Sequence, residues 1–236
     1  MIKKVKKNIK SYYEDTCLWW SAKKIPDRKD SHTAREVIDV AYDFKGLGAY
    51  RSIEPSPSYP SDRVNENKSE YASLAKIVKK NKPKNILEIG TARGGSLFLW
   101  SRFLGSTERI VCIDLGYHID RFEARTRLFK QFSDVSMNFI IGDSHKKRTL
   151  EEVEAAFGDQ PVDFLFIDGD HSYEGVKSDF QTYKKLVKDG GLVAFHDILN
   201  EDWPGVGKFW REIKSKYENI EITDSPERIG IGVLKL

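Results

Sequence analysis

From residue 85 onward, short apolar runs recur along the chain: NILEIG (85–90), RIVCID (109–114), MNFIIG (137–142), DFLFID (163–168) and GLVAFHD (191–197). Each is enriched in Ile, Val and Phe, the pattern of parallel strands covered on both faces. Between them apolar residues fall at helical spacing, at 96–104, about 119–132, 149–157 and 175–187. In the last of these, Val176, Phe180, Tyr183 and Val187 form one stripe. Thr149 and Glu152 have capping-box spacing, which predicts a helix start there. A helix over 67–81 precedes the first strand, and another over 205–217 follows the fifth. IEIT (220–223) and IGIGVLKL (229–236) have no helix between them and can pair as an antiparallel hairpin. Strand–helix alternation of this kind implies right-handed crossovers. The expected fold is α/β: a Rossmann-like, doubly wound, mainly parallel sheet with an antiparallel C-terminal strand.

The upstream part reads differently. TAREVIDVAYDF (33–44) puts Val37, Val40, Ala41 and Phe44 on one helical face. Thr33 with Glu36 offers a capping box, and Gly46 suits the stop. IEPSPSYPSD (53–62) breaks both helix and strand patterns and reads as a loop. Residues 1–64 are therefore expected to form a helical extension, with 47–60 placed to act as a lid. Residues 65–236 form the main domain. A chain of 236 residues suits one α/β domain plus such an extension.

Charge narrows the partners. Lys and Arg number 39 against 36 acids, a net +3, so no whole-molecule field favours nucleic acid. The first ten residues carry five lysines and no acid. With Ile2, Val5 and Ile9 at helical spacing they read as a solvated terminus, or as a basic helix lying on a membrane surface. No long apolar run follows, so neither a signal peptide nor a transmembrane span is expected. The two cysteines, Cys17 and Cys112, form no CxxC pair and imply no disulfide framework or zinc site. A reducing, cytoplasmic location is the expectation.

The first strand runs into GTARGGS, residues 90–96, which then enters a helix. Gly90, Gly94 and Gly95 let the backbone turn tightly, and the free N–H groups at the helix start can hold a carboxylate. A dinucleotide fingerprint would need a glycine at 92, where the chain has Ala92. That disfavours an NAD-dependent oxidoreductase on the same fold, whose pyrophosphate needs the middle glycine. Asp114, at the end of the second strand, is placed to accept hydrogen bonds from ribose hydroxyls. Asp143 and Ser144 end the third strand, where an adenine amine can be met. All these groups sit at C-terminal strand ends, where ligands bind in open α/β sheets.

The runs ILEIGTARGGS, CIDL, GDS, FLFIDGDHSYEGV and GGLVAFHDI resemble the class I S-adenosylmethionine (SAM)-dependent methyltransferases. More narrowly, residues 65–236 are similar to the methyltransferase family 24 group. That group resembles the cephalosporin-biosynthesis and macrolide-sugar O-methyltransferases. The resemblance implies that Glu88 and Gly90 hold the methionine portion of SAM, with Thr91, Gly94, Gly95 and Ser96 completing the loop. It implies Asp114 for the ribose, and Asp143 and Ser144 for the adenine.

Methyl transfer is an in-line displacement for which the sulfonium is already activated. The protein supplies position and a stronger nucleophile. A hydroxyl acceptor needs a base or a metal. Asp168 ends the fourth strand, and His171 follows on the loop above it. His196 and Asp197 end the fifth. Asp168, His196 and Asp197 thus offer two carboxylates and an imidazole to Mg²⁺ or another divalent cation. In the resembling sugar O-methyltransferases an acid stands where this chain has His196, which weakens the charge available to Mg²⁺. The resemblance makes His171 the base, with Asp168 beside it in the catalytic and cofactor sets.

Trp203 follows the HD pair and is the aromatic best placed for an acceptor pocket, whereas Trp210 reads as core. The expected activity is O-methylation of a small hydroxylated acceptor, such as a sugar or a glycan or natural-product precursor. A non-catalytic SAM- or nucleoside-binding protein is the alternative. The sequence leaves a homo-oligomer open.

Overall fold

A computed structural model of the chain describes residues 61–91, 94–116, 134–223 and 229–236. The helix expected at 33–44, the 47–60 lid, Cys17, Arg93 and the helix expected near 119–132 lie outside the described residues. Elements are numbered here in chain order among the described residues. They are α1 (Ser61–Lys80), β1 (Asn85–Ile89), α2 (Gly95–Phe103), β2 (Arg109–Asp114), β3 (Ser136–Ile141) and α3 (Lys147–Phe157). β4 (Val162–Ile167), α4 (Tyr173–Tyr183), β5 (Val187–His196), α5 (Pro204–Ile213), β6 (Glu218–Ile222) and β7 (Ile231–Lys235) follow. The helix α1 runs across residue 64, where the main domain was expected to begin.

The strands form one seven-stranded sheet in the order β3-β2-β1-β4-β5-β7-β6. The first five are mutually parallel. β7 inserts antiparallel between β5 and β6, as the absence of an intervening helix predicts. The strand order reverses between β1 and β4, which opens a crevice at their C-terminal ends.

Two apolar layers cover the sheet. One packs α1 and α2 against Ile86, Phe164 and Phe166. The other packs α3, α4 and α5 against Leu87, Leu165 and Ile167. Neighbouring strand residues alternate between the layers, as the two-residue period of a strand requires. Burial on both faces is why these strands read as unbroken apolar runs. Trp100 meets Phe164 and Phe166 edge-on, with ring centroids 5.4 and 5.7 Å away. Such pairs each add ~0.5–1.5 kcal/mol beyond the area they bury. Cys112 is buried in β2, as its apolar surroundings predict, and Trp210 is core.

Two helix starts differ from expectation. α3 begins at Lys147, so Thr149 lies inside the helix rather than capping it. The Asp143 side chain accepts from the His145 N–H at 2.9 Å and winds the chain into a turn before that point. Thr149 is buried instead, its hydroxyl against Gly142. In α4, Ser172 is the cap and accepts from the Gly175 N–H at 3.0 Å. Val176, Phe180 and Tyr183 form the expected buried stripe, but Val187 belongs to β5, because a single 3₁₀ turn at Lys184–Leu186 ends the helix.

Candidate active site

The C-terminal ends of β1 to β4, with the loop entering α5, enclose a cavity of about 880 Å³. That is large enough for a nucleoside-sized cofactor and a small second molecule. At the switch point Gly90 has φ +89°, and a Cβ there would lie 1.9 Å from the Asp168 carbonyl oxygen. Gly90 is therefore required by the crossing of the β1 and β4 ends, before any ligand arrives. Gly205 does similar work at the opposite wall. Its Cβ would lie 2.4 Å from the Tyr173 nitrogen and 2.7 Å from the His171 carbonyl oxygen. The two loops that follow β4 and β5 are thus clamped together, backbone on backbone.

Those loops carry an imidazole–carboxylate cluster. His171 Nε2 lies 2.8 Å from Asp197 Oδ2 and 3.3 Å from Asp168 Oδ1. His196 Nδ1 lies 3.2 Å from the same Asp168 oxygen and 3.4 Å from Asp197 Oδ2. Neither His196 nitrogen has hydrogen-bond geometry among the described residues, so these contacts are charge pairs. The His196 ring is buried and rests against Tyr71 and Phe166, with centroids at 5.5 and 6.4 Å. Asp197 has φ +65°, a left-handed conformation that Asp tolerates better than most residues. Asn200 Nδ2 donates to Asp197 Oδ1 at 2.8 Å, which leaves Oδ2 facing His171.

The charges hold one another. Burial disfavours the His171 cation, but Asp168 and Asp197 outweigh it and raise its pKa to about 10. His196 is likewise raised, burial again being overcome by the two carboxylates. Burial alone would push Asp168 and Asp197 up, yet the two histidines bring both below the usual carboxylate range. His171 is also stacked on Trp203 with centroids 5.2 Å apart and planes at 29°. Trp203 keeps 49% of its surface exposed at the cavity wall, as a pocket aromatic should.

The chain is similar to several known proteins. Residues 87–198 match the family model described as a methyltransferase domain. Demethylmacrocin O-methyltransferase of Streptomyces fradiae is 29% identical over 135 residues, 54% of this chain and 31% of that protein. The chain thus corresponds to about a third of that relative's length. The methyltransferase-domain match takes in just under half of the chain, from the end of β1 to the residues after β5. Among solved structures, an O-methyltransferase from Bacillus cereus in complex with S-adenosylhomocysteine has a TM-score of 0.56 at 20% identity. That likeness covers 90% of this chain and 94% of the other. The methyltransferase of the mycinamycin pathway, in complex with Mg, S-adenosylhomocysteine and mycinamycin VI, has a TM-score of 0.54 at 16% identity. There 87% of this chain aligns with 54% of that one. At these identities the two structures speak for the fold.

Around the cavity, the residues read from the sequence as a cofactor site divide into two sets. Gly90, Asp114, Asp143, Ser144 and Asp168 line the cavity together with His171. Glu88, Thr91 and Ser96 are buried beneath it, and Gly94 and Gly95 sit at the start of α2 without lining it. Glu88 accepts from Ser96 Oγ at 2.9 Å and from Trp100 Nε1 at 2.7 Å, which ties the end of β1 to α2. Burial raises its carboxyl to about 7, and these two bonds offset only part of the shift. Asp114 accepts from the Gly116 N–H at 2.7 Å, shaping the strand end it stands on.

The expected metal set was Asp168, His196 and Asp197. The ligand atoms that lie within 4.8 Å of one another belong to Asp168, His171 and Asp197. Two hard carboxylates and an imidazole fit a divalent cation. Three residues with a bearing on the site escaped the sequence reading: Asn200, His145 and Asp179. No motif marks them: His145 and Asp179 meet from distant parts of the chain, and Asn200 reaches Asp197 only through the left-handed turn between them. Among the described residues no helix is long and apolar enough to cross a membrane.

Proposed function

We propose that the chain transfers the methyl group of SAM to a hydroxyl of a small acceptor, with His171 taking the hydroxyl proton. The observation that carries this reading is His171 itself. Its Nε2 faces the buried Asp197 at 2.8 Å on the wall of the cavity, on a loop clamped by Gly205. A base oriented by a buried carboxylate is the arrangement general-base catalysis needs. The reading places SAM in the cavity with its sulfonium toward Asp168 and its ribose at Asp114. The acceptor enters beside Trp203, whose exposed ring offers an apolar face to a sugar or another ring. Demethylmacrocin and mycinamycin, named for two relatives, are consistent with a hydroxylated natural-product acceptor.

A base must be free of its proton. With both carboxylates charged, His171 holds its proton through neutral pH, so turnover should climb as the solution becomes alkaline. A divalent cation held by Asp168 and Asp197 would neutralise those anions and lower the pH at which His171 is free. That role leaves the His171 nitrogen outside the ligand set. If His171 instead joins the metal, the base lies elsewhere, and the two uses exclude each other. Asp168, Asp197 and Asn200 keep their geometric roles in either case: they fix the loop ends and the direction of Nε2.

The test is calorimetric titration with S-adenosylhomocysteine, in Mg²⁺ and in EDTA, on the wild type and on His171→Ala. The enzyme reading expects binding in both proteins and turnover of hydroxylated acceptors in the wild type alone. Equal turnover in the two would remove His171 as base. Absence of binding in the wild type would remove SAM. Binding with no turnover of any acceptor would favour a non-catalytic SAM-binding protein.

A further inference from the structure

Two consecutive residues of α1 reach the segment that carries Asp197. The β5–β7 ladder pairs His196 with Ile231 and is interrupted at Asp197, whose φ of +65° leaves the extended region. Pairing then resumes. The Ile198 N–H donates to the Gly230 carbonyl at 3.2 Å, and the Leu199 N–H donates to the Ile229 carbonyl at 2.7 Å. Asp197 is thus a single left-handed residue between two paired ones. Its direction toward His171 depends on how firmly both flanks are fixed.

The flank after Asp197 hangs on Gly230. Gly230 has φ +72°, and a Cβ there would meet Leu199 Cγ at 2.9 Å and Ile198 Cγ1 at 3.0 Å, so a glycine is needed to bring the two chains this close. Its N–H donates to Glu70 Oε1 at 3.3 Å, across 160 residues of chain. Glu70 is wholly buried on α1. A carboxylate is costly to bury, so one in an apolar layer asks for a polar task, and the bond to Gly230 is such a task. The flank before Asp197 rests on the next residue of the helix. The buried Tyr71 ring lies against the His196 ring with centroids 5.5 Å apart, and against Phe166 at 6.0 Å.

We propose that Glu70 and Tyr71 are positioning residues for His171: Tyr71 fixes Asp197 from the His196 side, Glu70 fixes it from the Gly230 side, and Asp197 aims the His171 Nε2 that lies 2.8 Å from it. This inference rests on the reading of His171 as the base. Neither α1 residue lines the cavity, so their effect on the reaction is geometric. A displacement of roughly 1 Å at a reacting group lowers a rate by about a hundredfold. Asn200 does not replace them. It stands on the same loop, so its bond to Asp197 Oδ1 at 2.8 Å fixes the side chain and moves with the backbone.

The experiment compares the wild type with Glu70→Ala, Glu70→Asp, Glu70→Gln and Tyr71→Leu. Leu74→Ala, in the same core layer of α1, is the control for lost stability. Two readouts run beside the melting temperature. One is the NMR ring spectrum of the five histidines in isotope-labelled protein, with the His171 signal assigned through His171→Ala. The other is turnover at saturating SAM, set against the Kd of S-adenosylhomocysteine. Glu70→Ala, Glu70→Asp and Tyr71→Leu should move or broaden the His171 signal and lower turnover by about ten- to a hundredfold, with Kd within about a factor of two. Glu70→Gln keeps an acceptor oxygen in place and should restore both. Leu74→Ala should lower the melting temperature and leave the His171 signal where it is. Glu70→Asp withdraws the acceptor but keeps the charge, so it carries the comparison should Glu70→Ala fail to fold. A His171 signal and a turnover that stay unchanged in the Glu70 and Tyr71 variants would overturn the assignment. So would a His171 signal that Leu74→Ala shifts as far as they do. Equal turnover in the wild type and His171→Ala would fail the base reading alone, because the ring signals test the hold on His171 without any acceptor.

Discussion

Two imidazole–carboxylate clusters line one cavity, and their electrostatics run in opposite directions. Around His171 two carboxylates face two histidines, so each buried anion has a cation within 3.4 Å. Asp168 and Asp197 are accordingly held below the usual carboxylate range despite burial. Around His145 one histidine answers Asp143 and Asp179, with Asp170 adding to the negative field, and Asp179 is pushed up to about 6. Burial is similar at Asp179 and Asp197, so the number of cations per anion decides the sign. The balanced cluster stabilises the free protein and holds its proton. The unbalanced one leaves Asp179 buried with its charge only partly offset.

The largest effect expected from breaking this contrast is at His171. In His171→Ala, turnover should fall by about 10²–10⁴, the usual contribution of a positioned base, with S-adenosylhomocysteine affinity within a factor of two. A single-turnover assay beside calorimetry checks this. Gly90→Ala comes next, because a Cβ would strike the Asp168 carbonyl at 1.9 Å in a backbone with φ +89°. A loss of about 3 kcal/mol or more is expected, read by denaturant unfolding. If Gly90→Ala melts normally, the crossing of β1 and β4 is looser than drawn.

The pH predictions follow from signs. His171 is raised from 6.5 to about 10, so its stabilising pairing is complete below pH 6.5 and fades as pH rises toward 10. Melting temperatures of the metal-free protein should fall over that window, and less so in Asp197→Asn. The alkaline rise of turnover should also move to lower pH in Asp197→Asn, because one of the two anions that hold the proton is gone. A rise at an unchanged pH would separate His171 from the base role. Asp179 has the opposite sign: raised from 3.8 to about 6, it destabilises the fold increasingly as pH climbs between those values, and the cost is complete above 6. The smallest effect is expected at the acceptor wall. Trp203→Phe should raise KM for a ring acceptor a few-fold through reduced stacking area, leaving S-adenosylhomocysteine affinity unaltered.

Much of the fold was legible because burial on both faces writes an unbroken apolar run into a parallel strand. NILEI, RIVCID and VDFLFI needed no tertiary knowledge to be recognised, and neither did the antiparallel ending. The start of α3 was not legible. The capping spacing of Thr149 and Glu152 was real, but a turn made by Asp143 consumed the preceding residues first. The site was half legible. Asp114, Asp143, Ser144, Asp168 and His171 fall at strand ends, where the architecture gathers ligands, and all line the cavity. Glu88 and Ser96 share the same motif, yet they face inward to Trp100 and each other, because strand alternation sends Glu88 to the α2 side.

The sequence by itself determined the sheet, its chain order and the strand ends at which chemistry collects, since these follow from local periodicity and short connections. Only the tertiary structure decided which side chains meet. Asp197 reaches His171 through a left-handed backbone held by Asn200, and His145 finds Asp179 across the gap between β3 and α4. Charges buried by distant segments set one another's proton affinities, and no local pattern in a chain records which distant segment will arrive.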